Sequence, residues 1–282
     1  MTLCIDRYFI QWVSVLSIKK FIFLLKLCWI VLGCGLNHSS FGDPFIAHCY
    51  GGFCPTSGLK DSQIVVRHLY ASEITASSGK ARWVGYQISA KTIGVASLLP
   101  RNWFSESLLS SQTKNIDLPP VTKVVVPYLS EEQDRAYRLT EADTEKAELG
   151  RIAPFTSFAG TPYWNELNVF SNLADIPSNL RLGPWSRLDQ AINERLAPFA
   201  PVFVVSGPMS QNDNGDHSYG FFKLVIHNGR YTVFIFEFDT WGHADYCAYV
   251  SGLKTLKVDT GLSFFGSGSE LQVGLEDSLG CV

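Results

Sequence analysis

The sequence predicts an α+β fold in which a central, mostly antiparallel sheet is flanked by helices. Two stretches early in the chain, residues 63–74 and 81–90, are rich in valine, isoleucine, tyrosine and tryptophan, as strands are. A central stretch, residues 185–199, spaces its apolar residues as a helix does. Strand-like stretches then return. Strands grouped around one central helix favour antiparallel pairing over repeating strand–helix units.

The first 42 residues have the layout of a segment that directs a protein to or across a membrane. Two lysines precede an apolar run, residues 21–32, which a single lysine interrupts, and small and polar residues follow. This order is typical of a signal peptide, and the run is short for a membrane-spanning helix. An uncleaved anchor and a lipid on Cys34 are the alternatives. We expect a targeting segment over residues 1–42, one domain over residues 43–282, and a secreted or periplasmic protein.

The central stretch predicts one helix that ends before Pro198. Its apolar residues recur at intervals of three or four: Trp185, Leu188, Ile192 and Leu196. The strands expected after it are residues 201–209, 220–229 and 230–240, and the Asn228-Gly229 pair is typical of a two-residue hairpin turn. A further short helix is expected within residues 244–264.

Composition and charge restrict the kinds of partner that the surface can bind. The chain has 282 residues, 46% of them hydrophobic and 17% charged, which is enough for a well-filled core. Its net charge is −3, and leaving out residues 1–42 removes four basic residues and one acidic residue, so that 19 basic and 25 acidic residues remain, a net charge of −6. Such a surface does not favour tight, nonspecific binding of nucleic acid over its whole area, although a local basic cleft is compatible with it.

Four cysteines lie in the expected domain, and an even number suggests disulfides in an oxidising compartment. Cys49 and Cys54 flank a Tyr-Gly-Gly-Phe stretch whose glycines allow a tight loop, so we expect them to pair with each other. That leaves Cys247 to pair with Cys281. A zinc site is the alternative, and the lack of a Cys-x-x-Cys pair argues against it.

Several short stretches, taken together and in order, resemble the DNA/RNA non-specific endonuclease family of secreted bacterial nucleases. The resemblance runs from His48 to Val282 and includes VVRHLY, WVGYQI, PRNW, IAPFTSFAG, LNVFSNL, GPWSRLDQ and VVSGPM. The four cysteines also occur where the family forms disulfides. The resemblance implies a ββα-metal nuclease fold, with a central sheet flanked by helices.

The chemistry that the resemblance implies needs a base, a metal ion and cations that hold phosphate. A histidine in an Asp-Arg-Gly-His motif takes a proton from water. An asparagine on the following helix holds one Mg²⁺, which neutralises the phosphate oxygens. Arginines and a nearby carboxylate place the phosphate and order the water around the metal.

This sequence departs from the family at both the base and the metal ligand. The Asp-Arg-Gly-His motif aligns with residues 148–151, so Arg151 replaces the histidine and Leu149 replaces the motif's own arginine. Arg181 stands in place of the metal-binding asparagine. A guanidinium keeps its protons at any ordinary pH and therefore cannot act as a base, and its charge repels Mg²⁺. The resemblance thus implies a degenerate active site.

Three other residues match family positions that touch phosphate or metal. Arg101 matches an arginine that contacts phosphate, Asn172 matches an asparagine near the scissile group, and Asp189 matches a glutamate that holds metal-bound water. Asn172 and Asp189 are therefore the candidate metal ligands. The structural alternatives are a surface arginine, a turn-forming asparagine and a carboxylate in an ion pair.

An active enzyme would need a base from elsewhere in the chain. Three histidines are candidates, each with an exposed or capping role as the alternative: His217, His227 and His243. An active, divergent metal-dependent endonuclease that hydrolyses DNA or RNA is therefore one alternative function.

The function that we expect is that of a secreted, nuclease-like protein with impaired hydrolysis that binds DNA, RNA or a phosphate-like anion. Arg101, Arg151 and Arg181 would form the anion-binding cluster. Mg²⁺ is the cofactor that the family implies, and we expect that this chain does not bind it. The second alternative is a scaffold for a protein partner, and a homodimer is also implied by the resemblance. In that scaffold the arginines would pair with carboxylates of the chain itself: Glu148, Asp175 and Asp189.

Overall fold

The computed structural model describes residues 45–75, 79–97, 99–100, 102–108, 147–210, 218–266 and 270–281. The expected targeting segment, residues 1–42, lies outside these residues together with Cys34, so its boundary stays a prediction. Within the part of the chain that is described, no helix is both long enough and apolar enough to span a membrane.

Within the described residues, ten strands form one large sheet and one small ribbon. They are β1 (Ser62–Val66), β2 (Tyr70–Thr75), β3 (Ala81–Ile88), β4 (Ala147–Arg151), β5 (Leu173–Pro177), β6 (Val202–Ser210), β7 (Ser218–His227), β8 (Arg230–Glu237), β9 (Val250–Ser251) and β10 (Gln272–Val273). The large sheet has the order β1-β2-β3-β6-β7-β8-β10, with β9 also paired to β8, and among these described strands only β8 and β10 pair in parallel. The predicted α+β fold with a mostly antiparallel sheet is confirmed.

Four α-helices accompany the strands in the described residues. They are α1 (Ser178–Leu182), α2 (Pro184–Ala191), α3 (Leu253–Thr260) and α4 (Glu276–Leu279). Helix α2 continues into a π-helical turn, Ile192–Leu196, so the predicted central helix ends before Pro198 as expected. Helix α3 lies within the stretch for which a short helix was predicted. Short 3₁₀ turns occur at Tyr50–Gly52, Trp164–Asn168, Phe170–Asn172 and Tyr246–Tyr249.

The stretch predicted as one strand, residues 63–74, is instead two strands. β1 and β2 pair with each other in antiparallel fashion, and the amide of Arg67 donates to the carbonyl of Tyr70 at 2.8 Å in the turn between them. The turn has no glycine, proline or asparagine, so its composition does not differ from that of the strands on either side. The hairpin predicted at Asn228-Gly229 is confirmed, and both of its residues have positive φ, 48° and 74°.

Apolar side chains cover both faces of the large sheet. On one face the ring of Trp185, in α2, lies 6.1 Å from that of Phe221 and 6.0 Å from that of Phe236. On the other face Phe222 belongs to a second buried cluster with Leu256 of α3. Neighbouring residues of a strand point to opposite faces, so Phe221 and Phe222 contribute to different clusters. The sheet thus holds α2, and with it one wall of the site, on its first face.

The four cysteines form the two expected disulfides, Cys49–Cys54 and Cys247–Cys281. The zinc alternative is therefore wrong, because the thiolates that would bind the metal are used in these bonds. The second bridge connects the segment after β8 to the end of the described chain, where the hydroxyl of Tyr246 also donates to the carbonyl of Leu279 at 2.7 Å. The C-terminal segment is thus held to the 3₁₀ turn Tyr246–Tyr249 by both a covalent bond and a hydrogen bond.

Removing the Cys247–Cys281 bridge by replacing both residues with serine is expected to lower the free energy of unfolding by about 2–4 kcal/mol. This bridge joins residues separated by 34 positions, whereas Cys49 and Cys54 are separated by 5. A longer closed loop restricts the unfolded chain more, so the matched pair of substitutions at Cys49 and Cys54 should have the smaller effect. Urea denaturation of both double variants measures the difference, and the reverse ranking would contradict the argument.

Candidate functional site

A cleft of about 920 Å³ lies between the β4–β5 ribbon and helices α1 and α2. Strands β4 and β5 pair along their whole length, from Ala147 opposite Pro177 to Arg151 opposite Leu173. Because α1 follows β5 directly, the chain returns from the ribbon to the same cleft. The residues of the predicted site that line the cleft are Arg151, Arg181 and Asp189.

The break between α1 and α2 depends on a close contact between two main-chain segments. A Cβ atom at Gly183 would lie 2.3 Å from the carbonyl oxygen of Gly242 and 2.4 Å from that of Asn179. Only glycine fits between these oxygens without displacing backbone atoms. Pro184 then begins α2, where its fixed φ suits the first helical position. This junction places Arg181 and Asp189 on separate helices that border the same cleft.

Arg151 is held at the end of β4 by an asparagine and two aromatic rings. Its Nε and Nη2 donate to Oδ1 of Asn168 at 2.9 and 2.5 Å. Its Cζ lies 4.5 Å from the ring centre of Trp103 and 4.4 Å from that of Phe155. Asn168 is buried, and its own amide donates to the carbonyl of Pro100 at 3.2 Å. Aromatic faces attract a guanidinium, so these contacts explain why a cation occupies a mostly apolar stretch.

Asn168 and Trp103 were not among the site residues predicted from the sequence. Both lie in stretches that carry the family resemblance, LNVFSNL and PRNW. An amide and an aromatic side chain in these stretches were the features of the sequence that could have marked them as site residues. Their partner could not be read from the sequence, because Arg151 is 17 residues from Asn168 and still further from Trp103.

Arg181 reaches the cleft from the last turn of α1, and the stem of its side chain packs against Gly150 of β4. A Cβ atom at position 150 would lie 2.7 Å from Cδ of Arg181 and 3.1 Å from Cδ1 of Ile176. Glycine at this position therefore makes room for the arginine. Arg151 and Arg181, which the sequence comparison with the family predicts at the positions of the base and the metal ligand, thus border one cleft, as the anion-binding hypothesis requires.

Asp189 forms a buried ion pair with Lys223, which the sequence analysis did not anticipate. Nζ of Lys223 donates to Oδ1 of Asp189 and lies 3.9 Å from the ring centre of Trp185. The lysine side chain is fully buried and that of Asp189 is nearly so. Burial raises the pKa of Asp189 and lowers the pKa of Lys223, while their mutual attraction opposes both changes. A lysine within the apolar strand GFFKLVIH could have indicated such a pair, because a charged residue in a buried strand is almost always paired with an opposite charge.

Asn172 does not line the described part of the cleft, contrary to its expected place beside a metal or phosphate. It is fully buried, and its Oδ1 accepts from the amide of Ala153 at 2.8 Å. Its Nδ2 donates to the carbonyls of Ala153 and Leu167 at 3.1 and 3.0 Å. The side chain therefore holds the loop after β4 against the 3₁₀ turns before β5.

The remaining predicted residues are placed as follows. Arg101 and His217 lie outside the described residues, and so does the side chain of Glu148. His227 ends β7, and His243 lies with its ring centre 5.1 Å from that of Trp241, and neither lines the described part of the cleft.

Two of the three carboxylates that the scaffold alternative assigned to the arginines have lysine partners. Asp189 pairs with Lys223, and Oδ2 of Asp175 lies 3.5 Å from Nζ of Lys80. Each of these two carboxylates therefore has a lysine nearby that compensates its negative charge, in addition to any interaction with the arginines of the cleft.

The donor groups at the cleft do not fit a Mg²⁺ ion. Mg²⁺ needs oxygen ligands, chiefly carboxylates, in octahedral geometry. The carboxylate of Asp189 is paired with an ammonium group, the amide oxygen of Asn172 accepts from a main-chain amide, and Arg181 is a cation. Among the described residues, no group of three or more histidines, cysteines, aspartates and glutamates is arranged to hold a metal.

The mostly antiparallel sheet, with a strand pair and helices that border a charged cleft, is similar to the fold that the resemblance to the non-specific endonucleases implies. The chain is 28% identical over 253 residues to the Nuclease of Serratia marcescens, in an alignment that covers 83% of this chain and 86% of that protein. A chain in the crystal structure of the EndoG/EndoGI complex, a study of EndoG inhibition, has the same fold with a TM-score of 0.54 at 12% sequence identity. That superposition covers 77% of this chain and 92% of that chain. No family model matches the chain. The resemblance to the non-specific endonuclease family is confirmed.

Proposed function

We propose that this chain is an exported, nuclease-like protein that binds the phosphate groups of DNA or RNA in its cleft and hydrolyses them poorly or not at all. The observation that supports this most directly is that Arg151 and Arg181, at the positions of the family's base and metal ligand, line the same cleft. The similarity to the Serratia Nuclease supports nucleic acid as the ligand class. Two disulfides support export, since such bonds persist in oxidising compartments.

Loss of hydrolysis follows from the chemistry of the cleft. Arg151 cannot accept a proton, and no histidine lines the part of the cleft that is described. General-base catalysis contributes about 10²–10⁴-fold to rate, and a metal ion contributes several kcal/mol of charge stabilisation. These contributions are not additive in residues that act as a unit, yet the loss of both leaves little rate above background.

Retention of phosphate binding follows from the charge and shape of the same residues. A guanidinium has five N–H donors in a planar fork that matches phosphate oxygens, and in Arg151 Nε and Nη2 each donate to Asn168, so phosphate would be bound by the other donors. The contacts of Arg151 with Asn168, Trp103 and Phe155 hold its guanidinium in one place, so little side-chain entropy is lost when an anion binds. Because the expected domain is acidic overall, binding is local to this cleft and weakens as salt rises.

A plasmid-nicking assay tests the impaired catalysis. The purified domain, incubated with supercoiled DNA and either Mg²⁺ or Mn²⁺, is expected to leave the plasmid intact over times in which the Serratia Nuclease degrades it. Nicking that survives purification and disappears in the Asp189→Ala variant would instead establish the divergent, active endonuclease.

Replacing Arg151 or Arg181 by alanine is expected to weaken binding of a short single-stranded DNA by about 10- to 150-fold each, since a charge-assisted hydrogen bond contributes about 1.5–3 kcal/mol. The dependence of affinity on salt should also become shallower in each variant, because fewer phosphates are neutralised. Fluorescence anisotropy with a labelled oligonucleotide measures both quantities. Arg230→Ala is the matched control, because Arg230 is exposed and does not line the cleft. Equal losses in all three variants would argue against the cleft, and no binding by the unaltered protein would favour the protein-interaction scaffold.

A further inference from the structure

Lys223 lies at an unusual place for a lysine. It is in the middle of β7, paired with Ser206 of β6 on one side and Phe234 of β8 on the other, and its side chain is fully buried. A buried ammonium group is destabilising unless a counter-charge is close by, and Asp189 supplies that charge. The pair connects the centre of the sheet to α2.

The carboxylate of this pair belongs to the cleft, whereas the ammonium group lies beneath it. Asp189 lines the cleft and is 5% exposed, and Trp185, which packs against Lys223, lines it as well. An uncompensated carboxylate at this point would repel a phosphate group bound in front of it, because like charges only a few ångströms apart in a partly buried site repel strongly. The compensating charge is a fixed side chain.

We propose that Lys223 is a resident cation that takes the electrostatic place of a divalent ion at Asp189, so that phosphate-bearing ligands bind the cleft without metal. This inference rests on the proposed binding of nucleic acid. It agrees with the mismatch between the donor groups of the cleft and Mg²⁺. With Lys223 present, the carboxylate of Asp189 is neutralised, and the remaining charged side chains that line the described cleft are those of Arg151, Arg181 and Glu194.

The experiment compares oligonucleotide binding with and without a divalent ion in three proteins. Binding of a fluorescein-labelled single-stranded DNA is measured in EDTA and in millimolar Mg²⁺. The unaltered protein should bind equally in both, within about twofold. Lys223→Met should bind about 10-fold more weakly in EDTA, since its carboxylate is uncompensated, and Mg²⁺ should restore most of the loss by bridging Asp189 and the phosphate. Asp189→Asn/Lys223→Met, which removes both charges, should show no dependence on Mg²⁺, because it no longer has the carboxylate that Mg²⁺ would bridge to the phosphate.

Each outcome decides between this inference and a purely structural ion pair. A structural pair would change stability without creating a dependence on Mg²⁺, so Lys223→Met that binds equally well in EDTA and in Mg²⁺ overturns the inference. Binding by the unaltered protein only in Mg²⁺ also overturns it and leaves the proposed function standing. If the unaltered protein binds the oligonucleotide neither in EDTA nor in Mg²⁺, this inference and the proposed function are both wrong.

Lys223→Gln covers the case in which Lys223→Met fails to fold. Glutamine is neutral and keeps a donor for Asp189, so the same dependence on Mg²⁺ is expected of it. If neither single variant folds, the unaltered protein and the double variant can still contradict the inference, because replacing both members of a buried ion pair is tolerated far better than removing one. Stimulation of either of these two proteins by Mg²⁺ would contradict the inference.

Discussion

Replacing Glu106 by alanine is expected to lower the free energy of unfolding by about 3–5 kcal/mol, because it breaks a buried ion pair by removing one partner. The side chain of Glu106 is 1% exposed, and it accepts from Nε and Nη2 of Arg67 at 3.1 and 2.5 Å. It also accepts from the hydroxyl of Ser171 and from the amide of Leu108. Without the carboxylate, Arg67 keeps only a distant contact of 4.0 Å with Glu166 among its described ion pairs.

Urea denaturation followed by circular dichroism measures this effect, and a double variant provides the control. Arg67→Met/Glu106→Leu removes both charges and should recover most of the lost stability, since apolar side chains of similar size often replace a buried pair without loss. A loss below about 1 kcal/mol for Glu106→Ala would mean that the carboxylate is solvated in solution as surface pairs are. Ser171 precedes Asn172, so this cluster also supports the segment that leads into β5.

Replacing Asn172 by alanine is expected to lower the free energy of unfolding by about 3 kcal/mol while leaving oligonucleotide binding within about twofold of the unaltered protein. The substitution leaves the amide and carbonyl of Ala153 and the carbonyl of Leu167 without the partner that satisfies them in a fully buried place. Each buried polar group that loses its partner costs about 1–3 kcal/mol, and some of this is recovered if water enters.

The two readouts separate a structural role for Asn172 from a role in the cleft. Stability is measured by urea denaturation, and binding by anisotropy at a temperature where the variant is folded. Asn228→Ala is a suitable control, because Asn228 is exposed in the β7–β8 turn. Weaker binding together with unchanged stability would restore the sequence-based interpretation of Asn172 as a ligand contact.

The regular part of the fold could be predicted because its signals are local. The hairpin at Asn228-Gly229 and the helix from Trp185 to Leu196 are each predicted by residues that are close together in the sequence, and the structure contains both. The β4–β5 ribbon was not predicted. Its first strand, Ala-Glu-Leu-Gly-Arg, contains no β-branched or aromatic residue, and its pairing partner begins 22 positions later. Strand pairing between such segments is decided by packing against α1 and the rest of the cleft.

The chemical identity of the site was available from the sequence, but its pairing was not. A guanidinium at position 151 or 181 is a permanent cation in any fold. The alignment of the motif was therefore enough to predict that neither residue acts as a base or a metal ligand. The partner of Asp189 was a different matter. Lys223 is 34 residues away, and a lysine on a strand pairs with whichever carboxylate the sheet and helix bring to it.

The sequence by itself predicted the class of fold, the pairing of four cysteines in two disulfides and, through the family resemblance, two permanent positive charges at the expected positions of the base and the metal ligand. These follow from the chemistry of each residue and from patterns that repeat within a few positions. Only the tertiary structure decided which charges compensate each other: Lys223 with Asp189, Arg67 with Glu106, and Arg151 with Asn168 and two aromatic rings. The physical reason is that electrostatic interactions depend on distance and burial, and for residues far apart in sequence both are set by the folded chain.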